Sequence, residues 1–180
     1  MELGNDGLPR LAAAVKSWME SEGWEDEVEV AEDGASSRVV TGFNINDQSY
    51  KLYIQTDEQS SQIFVYMYSP YKVPPAKMPE MVRLLNNVNI SFSAGRLACF
   101  DDDDSNPVQF LWKIPVRDSD LTPEEVGEMV AAAVQVYDIY GNMLAQCIFS
   151  NKTAKQVWAE FKAERKAAQE QSSSEGPSEL

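Results

Sequence analysis

The chain has no histidine among its 180 residues. That absence removes Ser-His-Asp and Cys-His nucleophile pairs, histidine-ligated zinc and the commonest general base. Cysteine is nearly absent too. Cys99 and Cys147 are the only two, too few for a disulfide framework, and both sit in apolar runs where a free thiol behaves as a small hydrophobe. They form no CxxC, so no redox or zinc signature arises. No GxxxxGK[ST] or GxGxxG follows a strand pattern, so nothing cradles a nucleotide phosphate. The sequence therefore offers no catalytic residue, no cofactor site and no metal-ligand set.

Positive charge is also scarce. Lys and Arg total 15 against 29 Asp and Glu, a formal charge of −14, which works against a phosphate backbone or an anionic lipid surface as partner. No apolar run approaches the roughly 20 residues needed to span a bilayer. The opening MELGNDGLPR lacks the basic start and apolar stretch of a signal peptide. The expectation is one non-enzymatic domain in a reducing cytoplasm, binding neither nucleic acid nor membrane.

What is present reads as alternating helices and strands. Leu8, Leu11, Ala12, Val15, Trp18 and Met19 fall at helical spacing over residues 8–22, with Gly23 placed to stop the helix. ESEGWEDEVEVAED, residues 20–33, then holds eight acids and no Lys or Arg. Its Val28 and Val30 indicate a short, poorly pairing strand on a solvated acidic edge. The period then changes to two. Val39, Thr41, Phe43 and Ile45 share one face, Asn46-Asp47 turns, and Tyr50, Leu52 and Ile54 alternate next. QIFVYMY, residues 62–68, is apolar at nearly every position and reads as a central strand. The connections are too short for crossovers, so the three strands form an antiparallel meander.

Pro70, Pro74 and Pro75 end the sheet run, and Pro79 opens a helix lined by Met81, Val82, Leu85 and Val88. Asn86, Asn87 and Asn89 close it. Gly95 marks a turn, Leu97 to Phe100 make a strand, and Val108, Phe110, Trp112, Ile114 and Val116 alternate on the next. Asp101, Asp102, Asp103 and Asp104 thus lie at a hairpin bend. Asp102, Asp104 and Asn106 imitate the first ligand positions of an EF-hand loop, but Pro107 and Lys113 stand where that loop needs Gly and a bidentate Glu. A solvated turn is the reading, with a cation-binding regulator or enzyme using Asp101–Asp104 as its alternative.

A third helix opens at LTPEEV, with Thr122 as N-cap, Pro123 in the first turn and Glu125 closing a capping box. Its apolar stripe runs through Val126, Met129, Val130, Ala133, Val134, Tyr137, Tyr140 and Leu144. Thr153 caps a fourth helix carrying Val157, Trp158 and Phe161. From Gln169 onward the composition turns polar and small, so residues 169–180 are expected to stay unordered. The fold class expected is α+β, a three-stranded antiparallel meander plus a two-stranded hairpin packed with helices. The element order is α-β-β-β-α-β-β-α-α, in a single domain over 1–168 with its core at about 8–148.

The aromatic residues are the more telling candidates for a site. Tyr50, Tyr53, Phe64, Tyr66, Tyr68 and Tyr71 concentrate on two neighbouring strands, and so few helices cannot cover both faces of a sheet. Some of them should line an exposed face or groove of the composition favoured at protein interfaces. The competing reading has the tyrosine hydroxyls merely wetting the uncovered face. Residues 152–166 form a locally basic helix, with Lys152, Lys155, Lys162, Arg165 and Lys166 against Glu160 and Glu164. Its Trp158 and Phe161 can dock on the chain's own acidic body, on a second copy or on a partner. The candidate partner-binding set is Tyr50, Tyr53, Tyr66, Tyr68, Tyr71, Trp158 and Phe161, serving a protein partner or a homodimer.

The stretches KMPEMVRLLNNVNISFSAGRLACFDDDD and VQFLWKIPVRDSDLTPEEVGEMVAAAVQVYDIY, in that order of elements, resemble the YbjN-like family of bacterial proteins. The resemblance runs from about residue 8 to residue 148 and leaves the basic helix as an addition. It implies a compact α+β domain, often dimeric, with an architecture similar to the type III secretion chaperones and the label of a sensory transduction regulator. It carries over no active-site residue. Its motifs have structural roles, and the function it implies is a protein-binding or chaperone-like regulatory module.

Overall fold

A computed structural model describes residues 7–100, 106–116 and 121–174, with side chains as far as residue 171. Helix α1, Arg10–Ser21, buries Leu11, Ala12, Val15, Trp18 and Met19, the one-sided spacing that its sequence carries. Its first amides are satisfied from far along the chain. The Glu58 carboxylate accepts from Leu11 N–H at 3.0 Å and from Ala12 N–H at 3.1 Å, placing negative charge at the positive end of the helix dipole.

The strands β1 (Glu29–Val30), β2 (Ser36–Ile45), β3 (Gln48–Asp57) and β4 (Gln62–Lys72) follow. Asn46 and Asp47 turn the chain between β2 and β3 with φ of 49° and 62°, the backbone that a tight hairpin requires and that these two residue types tolerate. After helix α2 (Met78–Asn89) come β5 (Arg96–Cys99), β6 (Pro107–Pro115), the long α3 (Pro123–Phe149) and α4 (Ala154–Ser174). The expected capping box on α3 is present, with Thr122 and Glu125 bonding each other's backbone.

The expected meander and hairpin are one structure. All pairs are antiparallel and the sheet has six strands in the order β1-β2-β3-β4-β6-β5. The edge of β4 offers unpaired amides and carbonyls, and β6 satisfies them. The stated order leaves out the edge strand β1, which Val28 and Val30 had indicated, and a short 3-10 turn, Pro75–Lys77, stands ahead of α2. On α2 itself Leu84 fills the core place expected of Val82, which is 42% exposed.

Strand parity sends Val39, Leu52, Ile54, Ile63, Val65, Met67, Val108 and Phe110 into a core covered by α1, α2 and α3. Asn89 ties α2 to β5 in the manner of a strand pair, donating to the Leu97 carbonyl at 2.9 Å and accepting from its N–H at 2.8 Å. Beyond Phe161 the described side chains of α4 are exposed, and the helix continues through Ser174. Residues 169–174, expected at the start of an unordered tail, lie in this helix. Ala, Gln and Glu favour the helix there, and Lys166 pairs with Glu170 one turn on. Residues 175–180 and Asp101–Asp104 lie outside the described residues.

Candidate functional site

The face of the sheet turned away from the core is built by register. One transverse row runs Val40, Tyr53, Tyr66, Leu111, Arg96 across β2, β3, β4, β6 and β5. The row on one side is Arg38, Gln55, Phe64, Lys113, and the row on the other is Gly42, Lys51, Tyr68, Gln109. Because side chains alternate along each strand, all of these point to the same side. Among the described residues no helix lies on it.

Aromatic rings dominate its centre. Tyr53 meets Tyr68 edge-on at 5.4 Å, and Phe64 stacks on Tyr66 at 5.9 Å with only 5° between planes. Lys113 places its ammonium 5.0 Å from the Phe64 centroid, a cation–π contact that holds the lysine stem flat on the sheet. Burial pushes the phenol pKa of Tyr66 up, and burial followed by the neighbouring Tyr53 and Tyr66 does the same for Tyr68. Both hydroxyls are therefore protonated at neutral pH and can donate.

A groove of about 730 Å³ opens on this face, lined by Tyr53, Tyr66, Tyr68 and Tyr71 together with Arg38, Lys51 and Lys72. Arg38 shares its guanidinium with Glu29 at 2.7 Å on the β1 side. A second groove, lined by Glu29, Asp33 and Asp57, adjoins it through the shared residues Arg38, Gln55 and Tyr66. The face thus changes from acidic at the β1 edge to basic and aromatic over β3 and β4.

The structure divides the aromatic residues singled out from sequence. Tyr53, Tyr66 and Tyr68 come together on the open face. Tyr50 does not, which corrects its place in the set: it is 5% exposed, shares the inward parity of Leu52 and Ile54, and packs on Tyr137 with ring centroids 4.7 Å apart. Tyr71 stands at the rim, its hydroxyl donating to Gln48 and its ring edge-on to Phe149. Trp158 and Phe161 belong to an intramolecular aromatic chain. Trp158 stacks on Phe161 at 5.6 Å, Phe161 reaches Tyr140 at 5.2 Å, and Tyr140 reaches Phe92 at 5.8 Å. They fix α4 to the body through α3, with Lys162 and Arg165 over their outer faces.

Sequence reasoning overlooked Val40, Lys51, Lys113 and Leu111 as members of this face. The signal for Lys51 and Val40 was their parity with Tyr53 and Arg38. Leu111 and Lys113 required the pairing of β4 with β6. Among the described residues no cluster of three or more His, Cys, Asp or Glu side chains could hold a metal ion. What the face can offer a ligand is ring surface, hydroxyl donors and ammonium groups, which serve binding.

Comparisons set this fold beside two solved structures. In a chain of the solved ExsC-ExsE complex, the fold overlays with a TM-score of 0.52 at 13% identity, over 74% of this chain and 92% of that one. YbjN from E. coli overlays with a TM-score of 0.48 at 13% identity, over 69% of this chain and 83% of that one. The architecture is an α+β fold of helices and antiparallel sheet, shared with a chain of that complex. No curated protein matches the sequence, and no helix among the described residues is long and apolar enough to cross a membrane. The YbjN family model, described as "Putative bacterial sensory transduction regulator", matches residues 11–146. Three quarters of the chain is thereby accounted for, and the chain belongs to the YbjN family.

Proposed function

We propose that this protein is a non-enzymatic binding module, chaperone-like or regulatory, that holds a segment of a protein partner on the open face of its sheet. The observation that carries the reading is the one-sided sheet: helices bury one face, while Tyr53, Tyr66, Tyr68, Phe64 and Leu111 occupy the other. Aromatic residues in register on a rigid sheet provide large contact area at low cost in side-chain entropy, the composition enriched at interface centres. Membership of a family described as regulatory and a fold shared with a chain of a two-protein complex support it. Both cysteines are free, which suits a reducing cytoplasm.

The test is affinity capture from native cell extract with the wild-type chain and with a Tyr53→Ser, Tyr66→Ser double variant, identifying proteins by mass spectrometry. Far-UV circular dichroism and melting temperature serve as folding controls. A partner recovered with the wild type and lost with the folded variant supports the reading. Equal recovery with both would sink it, as would capture that depends on Trp158 or Val82 instead.

A further inference from the structure

The tyrosine groove is distinguished by its charge. Among its described lining residues are three cations, Arg38, Lys51 and Lys72, and no Asp or Glu, on a chain where acids outnumber cations 29 to 15. Three other grooves carry the sign expected of the whole. One has Glu29, Asp33 and Asp57 against Arg38, another Glu22 and Asp138, another Glu20, Asp26 and Glu27 against Lys16. Lys113 and Arg96 extend the positive strip along the same face, in register with Phe64 and Leu111.

We infer that the occupant of this groove is a short, extended, acidic protein segment, its carboxylates meeting Lys51 and Lys72, with Arg38 at the groove's edge paired with Glu29, and its apolar side chains lying on Tyr53, Tyr66 and Tyr68. The inference rests on the binding reading above and adds the chemistry of the partner. Local cations select an anionic ligand, while the surrounding negative field repels any anion that extends beyond the groove. Crossing from β2 to β6 covers three strand spacings, about 15 Å, which about four or five extended residues span. A few carboxylates fit that length. A long nucleic acid strand would carry most of its phosphates onto the acidic remainder of the molecule, and a second copy would bring its own charge of −14 to the same approach.

Fluorescence anisotropy with three short labelled peptides tests this. They share alternating phenylalanine and leucine positions, and their intervening residues are Glu, Gln or Lys. The acidic peptide is expected to bind at least about tenfold tighter than the lysine peptide and to weaken as salt is raised. Lys51→Glu should weaken it by about fivefold, the size of one exposed ion pair. Tyr66→Ser should weaken all peptides that bind, with both variants melting as the wild type does. If the glutamine or lysine peptide binds as tightly as the acidic one and Tyr66→Ser still releases it, the acidic inference falls and the binding reading stands. Peptide binding that ignores Tyr66→Ser defeats both. Binding by none of the peptides, tighter binding of a single-stranded oligonucleotide, or a doubled solution mass abolished by Lys51→Glu would each overturn the inference.

Discussion

Tyr137 brings one hydroxyl from α3 into the sheet beside the place where β4 and β6 lose register. The hydroxyl lies 2.7 Å from the Val108 carbonyl and 2.8 Å from the Met67 carbonyl, and it accepts the Phe110 N–H at 3.1 Å. The ladder between β4 and β6 shifts just beyond, between Tyr68 and Lys72, and the phenol gives these buried backbone groups a partner from outside the sheet. Burial pushes its pKa far up and keeps the proton available. Tyr137→Phe should cost about 1–3 kcal/mol, the penalty for leaving buried polar groups unpaired. Urea unfolding measures it, and a loss below about 0.5 kcal/mol would show the hydroxyl to be dispensable.

Two glycines offer a matched pair at the same scale. Gly95 and Gly23 have nearly equal φ, +69° and +71°, so alanine meets the same backbone strain at each. They differ in space. A Cβ on Gly95 would stand 2.5 Å from the Phe110 ring, whereas nothing lies within 4 Å at Gly23. Gly95→Ala should therefore destabilise by about 1–3 kcal/mol more than Gly23→Ala, read as the difference in thermal or urea midpoints between the two variants. Equal losses would mean that Phe110 yields freely. Both glycines were visible in the sequence as punctuation, but the ring that forbids a side chain at Gly95 lies on β6 and was not.

At the scale of elements, the docking of α4 depends on α2. Glu80 accepts the Ala154 N–H at 2.6 Å and pairs with Arg83 at 2.6 Å, while Lys77 donates to the Ser150 carbonyl in the link between α3 and α4. The bond from Ala154 holds the Glu80 carboxyl pKa below its ordinary value, with the charges of Arg83 and Lys77 acting the same way. A carboxylate depressed in the folded state contributes stability above its unfolded pKa and loses it as pH falls through the folded value. Hydrogen-exchange protection in the first turn of α4, measured relative to the intrinsic rate at each pH, should therefore fall on acidification below the ordinary carboxylate range. Glu80→Gln keeps an acceptor and removes the titration, so it should flatten that acid dependence. An unchanged pH profile in the variant would assign the effect to another group.

The caps show what was legible at this scale. The Thr122–Glu125 box is local, spanning three residues, and could be read directly. The caps by Glu58 on α1 and Glu80 on α4 join residues 47 and 74 apart, and no local pattern announces them. Strand faces followed the same division. Tyr50 was assigned to a candidate surface although it alternates in phase with Leu52 and Ile54, so parity alone would have placed it inside. Tyr71 follows the irregularity after Tyr68, where parity stops being a guide. The union of meander and hairpin through β4 and β6 is a non-local choice that the two separate patterns permit and do not dictate.

For the molecule as a whole, one property sets two effects of salt in opposition. A charge of −14 repels itself in the compact state, including in the acidic stretch after α1, where Glu22, Glu25 and Glu27 are exposed. Screening shortens from about 10 Å at 0.1 M salt to about 3 Å at 1 M, so sodium chloride should relieve that repulsion. Relief of about 1 kcal/mol corresponds to a rise of about 2–4 °C in melting temperature for a chain of this size. The same ions should weaken capture of an acidic segment by Lys51 and its neighbours. Stability and affinity thus move in opposite directions along one salt titration, whereas a binding face driven by apolar contact alone would lose nothing. Replacing Glu22, Glu25 and Glu27 by Gln should flatten the melting response and leave the salt dependence of peptide binding in place, since those acids are not among the residues lining the tyrosine groove. Calorimetric melting and anisotropy on the same samples separate the two effects. A melting temperature that falls with sodium chloride would contradict the view that self-repulsion limits this fold.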